Sequence, residues 1–231
     1  MSAFTAGDIR AIVFDLDGTL YVCDRFAAEI HDASATYIAG LKGISQEEAS
    51  QLMAATRAKL TEASGTVQTI SAVCVELGGD VRELHSFFVY NLRPEAFLVQ
   101  EKRVIRLMET LAERFPLYIY TNNNRVLATR ITNYLGLDRA LRGTFAIDDT
   151  WRAKPDEGMV KRVLAEIGLN PNEALFVGDR YDVDLRVPEQ LGCPVYLSQS
   201  LEQLLRLKEL LTRSFPADRP GVPADQQAAR S

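Results

Sequence analysis

The stretch Asp15-Leu16-Asp17-Gly18-Thr19-Leu20 constrains this chain more than any other. It directly follows the apolar run Ala11-Ile12-Val13-Phe14. An apolar run that stops in an acidic, glycine-containing loop reads as a buried strand of a parallel sheet. Two carboxylates at the mouth of such a sheet are costly unless a cation balances them. With a divalent metal the pair makes a site that handles phosphoryl groups. Asp15 is then placed as a nucleophile, since a carboxylate oxygen can form an aspartyl-phosphate. Asp17 is left free for proton transfer. Gly18 lets the backbone turn and lets its amide approach a ligand closely. The plainer reading is an Asp-Gly turn with two solvated acids.

The hydrophobic period divides the rest of the chain. Residues 26–92 read as all helical: Phe26–Ala39 ending at Gly40, a capping box at Ser45–Glu48 opening a helix through Leu60, Val67–Leu77, and Leu84–Leu92 led in by Asp80–Glu83. Pro94 closes that block. Helices and strands then alternate. The helices are expected at Glu101–Phe115, Arg125–Leu135, Pro155–Ile167, Asp184–Leu191 with a kink at Pro188, and Leu201–Leu211. The strands between them are expected at Leu117–Tyr120, Thr144–Ile147, Ala174–Val177 and Pro194–Leu197. Such alternation implies right-handed crossovers and a parallel sheet covered on both faces. The expectation is an α/β fold: a doubly wound, Rossmann-like core at 1–20 and 96–212, with an inserted all-helical cap at 21–95. The insert leaves the core just after the acidic loop, above the strand ends where ligands bind in such sheets. Residues 213–231, rich in Pro, Ala, Asp, Gln and Arg, read as a flexible tail.

Charge and composition narrow the partners. A net charge of −5 gives no basic footprint for nucleic acid or an anionic membrane. No apolar run approaches the length of a membrane span. The three cysteines are widely spaced and odd in number, which argues against a disulfide framework or zinc site and fits a reducing compartment. The N-terminal residues carry neither a basic nor an apolar leader segment, so a cytoplasmic location is expected.

Three further elements follow later strands. Thr121-Asn122-Asn123-Asn124 offers a hydroxyl and backbone amides at a helix start, suited to a phosphoryl oxygen, or simply an Asn-rich cap. Lys154 precedes Pro155 and can neutralise charge on the nucleophile and the phosphoryl group, or be a solvated loop lysine. Asp179, in Gly178-Asp179-Arg180-Tyr181-Asp182-Val183-Asp184, is placed to help hold Mg²⁺, a hard ion that prefers oxygen ligands. Its plainer role is an acid at a helix start. Arg125 and Arg180 flank these elements and are placed to touch a substrate, with surface ion pairing as the alternative. His31 and His85 read as surface or partly packed cap residues.

Taken in order, these elements resemble the four motifs of the haloacid dehalogenase-like hydrolase superfamily, over about residues 10–198. The resemblance implies Asp15 as phosphoryl acceptor, Asp17 as general acid and base, and Thr121 and Lys154 as phosphoryl-holding residues. It also implies a Mg²⁺ site drawn from Asp15, Asp17, Asp179 and Asp184, with Gly18 and Asn122 lining the phosphate pocket. For the second acid of the fourth motif the family's spacing gives Asp184. Asp182 fits no family spacing but lies close enough to contribute. The insertion point is similar to the family's helical cap of the first type. The Asp-Gly-Thr-Leu-Tyr run resembles the pyrimidine 5′-nucleotidase and phosphoglycolate phosphatase-like branch, although Gly18 stands where an Asn is often found. The implied activity is Mg²⁺-dependent hydrolysis of a small soluble phosphate monoester: a nucleotide, a sugar phosphate or phosphoglycolate. An acid at position 17 favours phosphate-ester chemistry over carbon–halogen cleavage. A sugar phosphomutase and a catalytically idle phosphoryl-binding protein are the rival expectations. Oligomeric state is not legible.

Overall fold

The computed structural model describes residues 8–213. Of the tail expected at 213–231, Arg213 ends a helix instead, and residues 214–231 lie outside the described residues. Strand β1 (Ala11–Phe14) is the centre of a five-stranded parallel sheet in the order β3-β2-β1-β4-β5. Its neighbours are β2 (Leu117–Tyr120) and β4 (Ala174–Gly178), with β3 (Leu141–Phe145) and β5 (Val195–Leu197) at the edges. All of β1 is buried, as a strand covered on both faces must be. Alternate side chains go to opposite layers: Ile12 and Phe14 join the larger core, and Val13 the smaller.

Helices α1 (Asp24–Lys42), α2 (Gln46–Ser64), α3 (Ile70–Glu76) and α4 (Val81–Asn91) lie between β1 and β2 in the chain and pack on one another. The rest of the chain alternates as βα units: α5 (Lys102–Ala112), α6 (Arg125–Leu135), α7 (Glu157–Ile167), α8 (Arg186–Gln190) and α9 (Leu201–Arg213). Residues of α5, α6 and α9 fill the larger core, while α7 supplies Met159, Val160 and Val163 to the smaller one. The fold is therefore a doubly wound, Rossmann-like α/β sheet. The strand order switches sides between β1 and β4, which opens a crevice at the strand C-termini. No helix among the described residues is long and apolar enough to cross a membrane.

Some boundaries differ from the expectation, each for a local reason. Helix α1 passes through Gly40 and ends at Gly43, whose left-handed backbone (φ 68°) donates its N–H to Ala39. β3 starts at Leu141, three residues before the expected Thr144, because an edge strand tolerates Arg142 and Gly143. Pro155 lies outside α7, whose N-cap is Asp156, accepting from the Met159 N–H at 2.7 Å. The helix expected at 184–191 is a π-helical turn, Tyr181–Leu185, followed by α8. Pro188 falls in the first turn of α8, where a missing N–H costs little.

Candidate active site

Three loops at the strand ends meet around Asp15. Asp15 follows β1 and is buried, with its N–H donating to Val177 of β4. Lys154, equally buried, donates from Nζ to Asp15 Oδ1 at 2.5 Å, to Asp184 Oδ1 at 2.6 Å and to the Tyr120 carbonyl at 2.9 Å. Thr19 donates to the other Asp15 oxygen at 3.1 Å. Burial pushes Asp15 above the usual carboxylate range, and the attraction of Lys154 does not fully offset it. For Lys154 the balance is reversed. Burial alone would lower its pKa, but Asp15 and Asp184 hold the ammonium above its ordinary value.

The fourth element is built around glycine. A Cβ on Gly178 would lie 2.5 Å from Cβ of Asp184. The π-helical turn aims Asp184 inward, where its Oδ2 accepts from the Arg180 N–H at 3.1 Å. Asp182 points out and pairs with Arg186 at 3.8 Å. Gly18, at φ 91°, makes room for Asp179, whose Oδ2 would lie 2.5 Å from a Cβ there.

One oxygen from each of Asp15, Asp179 and Asp184 lies within 4.8 Å of the others. Asp179 Oδ1 is buried without a hydrogen-bond partner; its nearest cation is Arg180 Nε at 3.9 Å. Burial, reinforced by Asp184, raises the Asp179 pKa. Three converging hard oxygens, one of them orphaned, fit a small divalent cation such as Mg²⁺. The Asp17 carboxylate, also expected among the ligands, is not in this cluster. It is turned to the other side of the loop, where Tyr21 donates to Oδ1 and Asn123 Nδ2 to Oδ2 at 2.6 Å. Thr121 Oγ1 lies 3.4 Å from the same Oδ2 and accepts from the Asn123 N–H.

Two expected phosphate-pocket residues have internal duties. The Gly18 N–H donates to the Tyr21 carbonyl at 2.9 Å, closing the loop. Asn122 Oδ1 accepts from the Lys154 N–H at 2.7 Å, tying the second loop to the third. Arg125 turns away to Asp149 at 2.6 Å and to the Thr144 carbonyl. His31 is partly exposed beside Asp32.

A cavity of about 420 Å³ runs from Asp17, Gly18 and Asp179 to the inserted helices, where Arg57, Ser71 and His85 form part of its wall. His85 is buried, against the sequence expectation, with Nε2 3.2 Å from Ser71 Oγ and Nδ1 unpartnered. Burial depresses its pKa to about 4. Its carbonyl accepts from Asn124, the N-cap of α6. Trp151 takes a left-handed backbone (φ 59°), rare for an aromatic residue, and brings its ring against His85 and under Arg82. The insert and the Lys154 loop thus touch. Sequence reasoning missed Tyr21, Asn123, Arg57 and this role of His85. For Asn123 the Asn-rich run after β2 was a usable signal; for the others none was.

The chain is similar to several known proteins. A curated phosphoglycolate phosphatase from Photorhabdus laumondii is 27% identical over 187 residues, covering 80% of this chain and 78% of the relative. Pyrophosphatase PpaX from Bacillus pumilus is 25% identical over 175 residues, 75% of this chain and 76% of that protein. Among solved structures, a HAD phosphatase from Thermococcus onnurineus superposes with a TM-score of 0.58 at 18% identity, over 88% of this chain and 98% of that one. The putative HAD-hydrolase YfnB from Bacillus subtilis, solved bound to magnesium, gives 0.56 at 19% identity, over 87% and 99%. At such identities these two show the fold. A model of the haloacid dehalogenase-like hydrolases matches residues 9–192, from just before β1 to just after α8, and the chain belongs to that family.

Proposed function

We propose that this protein is a Mg²⁺-dependent phosphatase that hydrolyses a small phosphate monoester through an aspartyl-phosphate on Asp15. The observation that carries this is the buried Asp15 carboxylate, fixed by Lys154 at 2.5 Å, with a second acid, Asp17, on the same loop beside the cavity. Asp15, Asp179 and Asp184 would hold the metal. When bound, Mg²⁺ supplies positive charge that offsets both the acids and the phosphoryl oxygens.

The chain's own groups account for the proton and the bond changes. An Asp15 oxygen attacks phosphorus, the bond to the leaving oxygen breaks, and Asp17 donates the proton that this oxygen takes up. Water then attacks the phosphorus of the aspartyl-phosphate. Asp17 accepts a proton from that water, and inorganic phosphate leaves as Asp15 is restored. Tyr21 and Asn123 hold the Asp17 carboxylate in one orientation throughout. Lys154 keeps Asp15 in place and neutralises charge beside it. Thr121 and Asn122 support the phosphoryl side of the pocket. The helices within 21–95 act as a cap that shields the reaction from bulk water. The names of the two curated relatives, a phosphoglycolate phosphatase and a pyrophosphatase, support a small phosphorylated substrate. The free cysteines suit a reducing, cytoplasmic setting.

Release of phosphate from p-nitrophenyl phosphate, with Mg²⁺ and with EDTA, tests the reading in wild type and Asp15→Asn. Wild type is expected to turn over only with Mg²⁺, and the variant to lose at least about 10³-fold in kcat. Turnover surviving in Asp15→Asn would remove Asp15 as the nucleophile.

A further inference from the structure

Two guanidinium groups face the cavity, Arg57 from α2 and Arg180 from the loop after β4, and their charges are balanced very differently. Arg180 lies 3.9 Å from both Asp179 and Asp184. Arg57 has no carboxylate partner among the described residues. Its Nε donates to the Gln68 carbonyl at 3.0 Å, which fixes the side chain. Neither of its terminal nitrogens has a hydrogen-bond partner among the described residues. Burial and, second, Arg180 push Arg57 below the usual guanidinium range.

A half-buried cation that meets a like charge instead of an acid is unfavourable until an anion joins it. The wall beside it carries a second unmet polar group. His85 Nδ1 is buried and unpartnered, while Nε2 is engaged by Ser71. The same cavity reaches Asp17, which would protonate the leaving oxygen. A leaving group that takes its proton from Asp17 therefore extends into the space that Arg57 lines.

We infer that the helical side of this cavity is a second anion subsite, in which Arg57, assisted by Arg180, holds a carboxylate or a second phosphoryl group on the leaving group of the substrate. This rests on the phosphatase reading above and narrows its substrates to phosphate esters or anhydrides with two anionic ends. A guanidinium fork suits either anion, because both present paired oxygens to it.

The test is steady-state kinetics with Mg²⁺ on phosphoglycolate, inorganic pyrophosphate and 2-hydroxyethyl phosphate. The last is close in size to phosphoglycolate but has an uncharged end. Wild type is expected to favour at least one doubly anionic substrate over 2-hydroxyethyl phosphate by about tenfold or more in kcat/KM. Which one it favours separates the carboxylate from the phosphoryl source. In Arg57→Gln that preference should fall about tenfold or more, towards parity, and Arg57→Lys should recover part of it. No preference in wild type, or a preference that Arg57→Gln leaves intact, would overturn the subsite. If wild type turns over neither these substrates nor p-nitrophenyl phosphate, the phosphatase reading fails on its own. Calorimetric titration of Asp15→Asn, with and without Arg57→Gln, then decides the subsite. Phosphoglycolate or pyrophosphate must bind more tightly than 2-hydroxyethyl phosphate, and Arg57→Gln must erase the difference.

Discussion

At the C-terminal edge of the sheet, Lys154 reaches Asp15 and Asp184 at 2.5 and 2.6 Å, and all three side chains are buried. On the inserted helices, Arg57 has a backbone carbonyl for company and no acid among the described residues. On the sheet side Lys154 matches Asp15 and Asp184 from within, which fixes their geometry before any ligand arrives, while Asp179 Oδ1 beside them stays without a hydrogen-bond partner. The other wall leaves charge and a buried imidazole nitrogen unmatched, so its polar groups are completed by what enters. The matched wall suits chemistry common to a family, and the unmatched wall suits selection of one leaving group.

The sharpest way to break this contrast is Lys154→Met. Removing one partner of a buried ion network leaves uncompensated charge, and here two carboxylates lose their common cation. The expected loss is about 3–5 kcal/mol of unfolding free energy in urea, together with loss of turnover. Added Mg²⁺ should restore part of the stability, because an ion that binds only the folded state stabilises it by mass action. A variant as stable as wild type in EDTA would mean that the matched wall does not depend on its internal cation.

His85 sharpens the contrast from the other wall. Its folded pKa, about 4, lies below the ordinary 6.5, because burial disfavours the charged ring. Between these values the unfolded chain binds the proton more readily than the fold does. The contribution of the neutral ring is therefore complete above pH 6.5 and is lost as pH falls towards 4, by roughly 3 kcal/mol in all. Melting or urea midpoints of wild type and His85→Gln across pH 4–7 check this. The wild-type midpoint should fall more steeply over that window. Parallel curves would show that the ring is hydrated in the fold and that this part of the helical wall is not dry.

The two walls also differed in how far the amino-acid sequence revealed them. Asp15 and Asp179 follow apolar strands and Lys154 follows the edge strand β3, all at the one edge where a parallel sheet gathers its ends, so their convergence is a consequence of topology. β2 and α6 could be placed to the residue because Pro116 and Gly136 bound them. Other features depend on three-dimensional context. Asp184 is chosen over Asp182 by a π-helical turn that no local pattern announces. Which of Gly40 and Gly43 ends α1 depends on which takes a left-handed backbone. Arg57, Tyr21 and His85 reach the cavity through the packing of the insert, and on their own helices or loop they look like ordinary surface or core residues.

Glycine gives the mildest form of the comparison, since the same substitution should act with opposite sign in the two regions. A Cβ at Gly178 would lie 2.5 Å from Cβ of Asp184, a contact that only a backbone or carboxylate shift can relieve. Gly178→Ala is expected to cost about 1–3 kcal/mol in stability and to lower kcat/KM at least about tenfold by displacing Asp184. Gly40 lies inside α1 on the inserted helices, and a Cβ there would meet nothing within 4 Å. Gly40→Ala removes backbone freedom from the unfolded chain without a clash, and should raise stability by about 0.5–1 kcal/mol. Paired urea titrations read both. A stabilising Gly178→Ala would mean that the matched wall has slack, and that Asp184 is positioned by the π-helical turn rather than by the absence of a side chain beneath it.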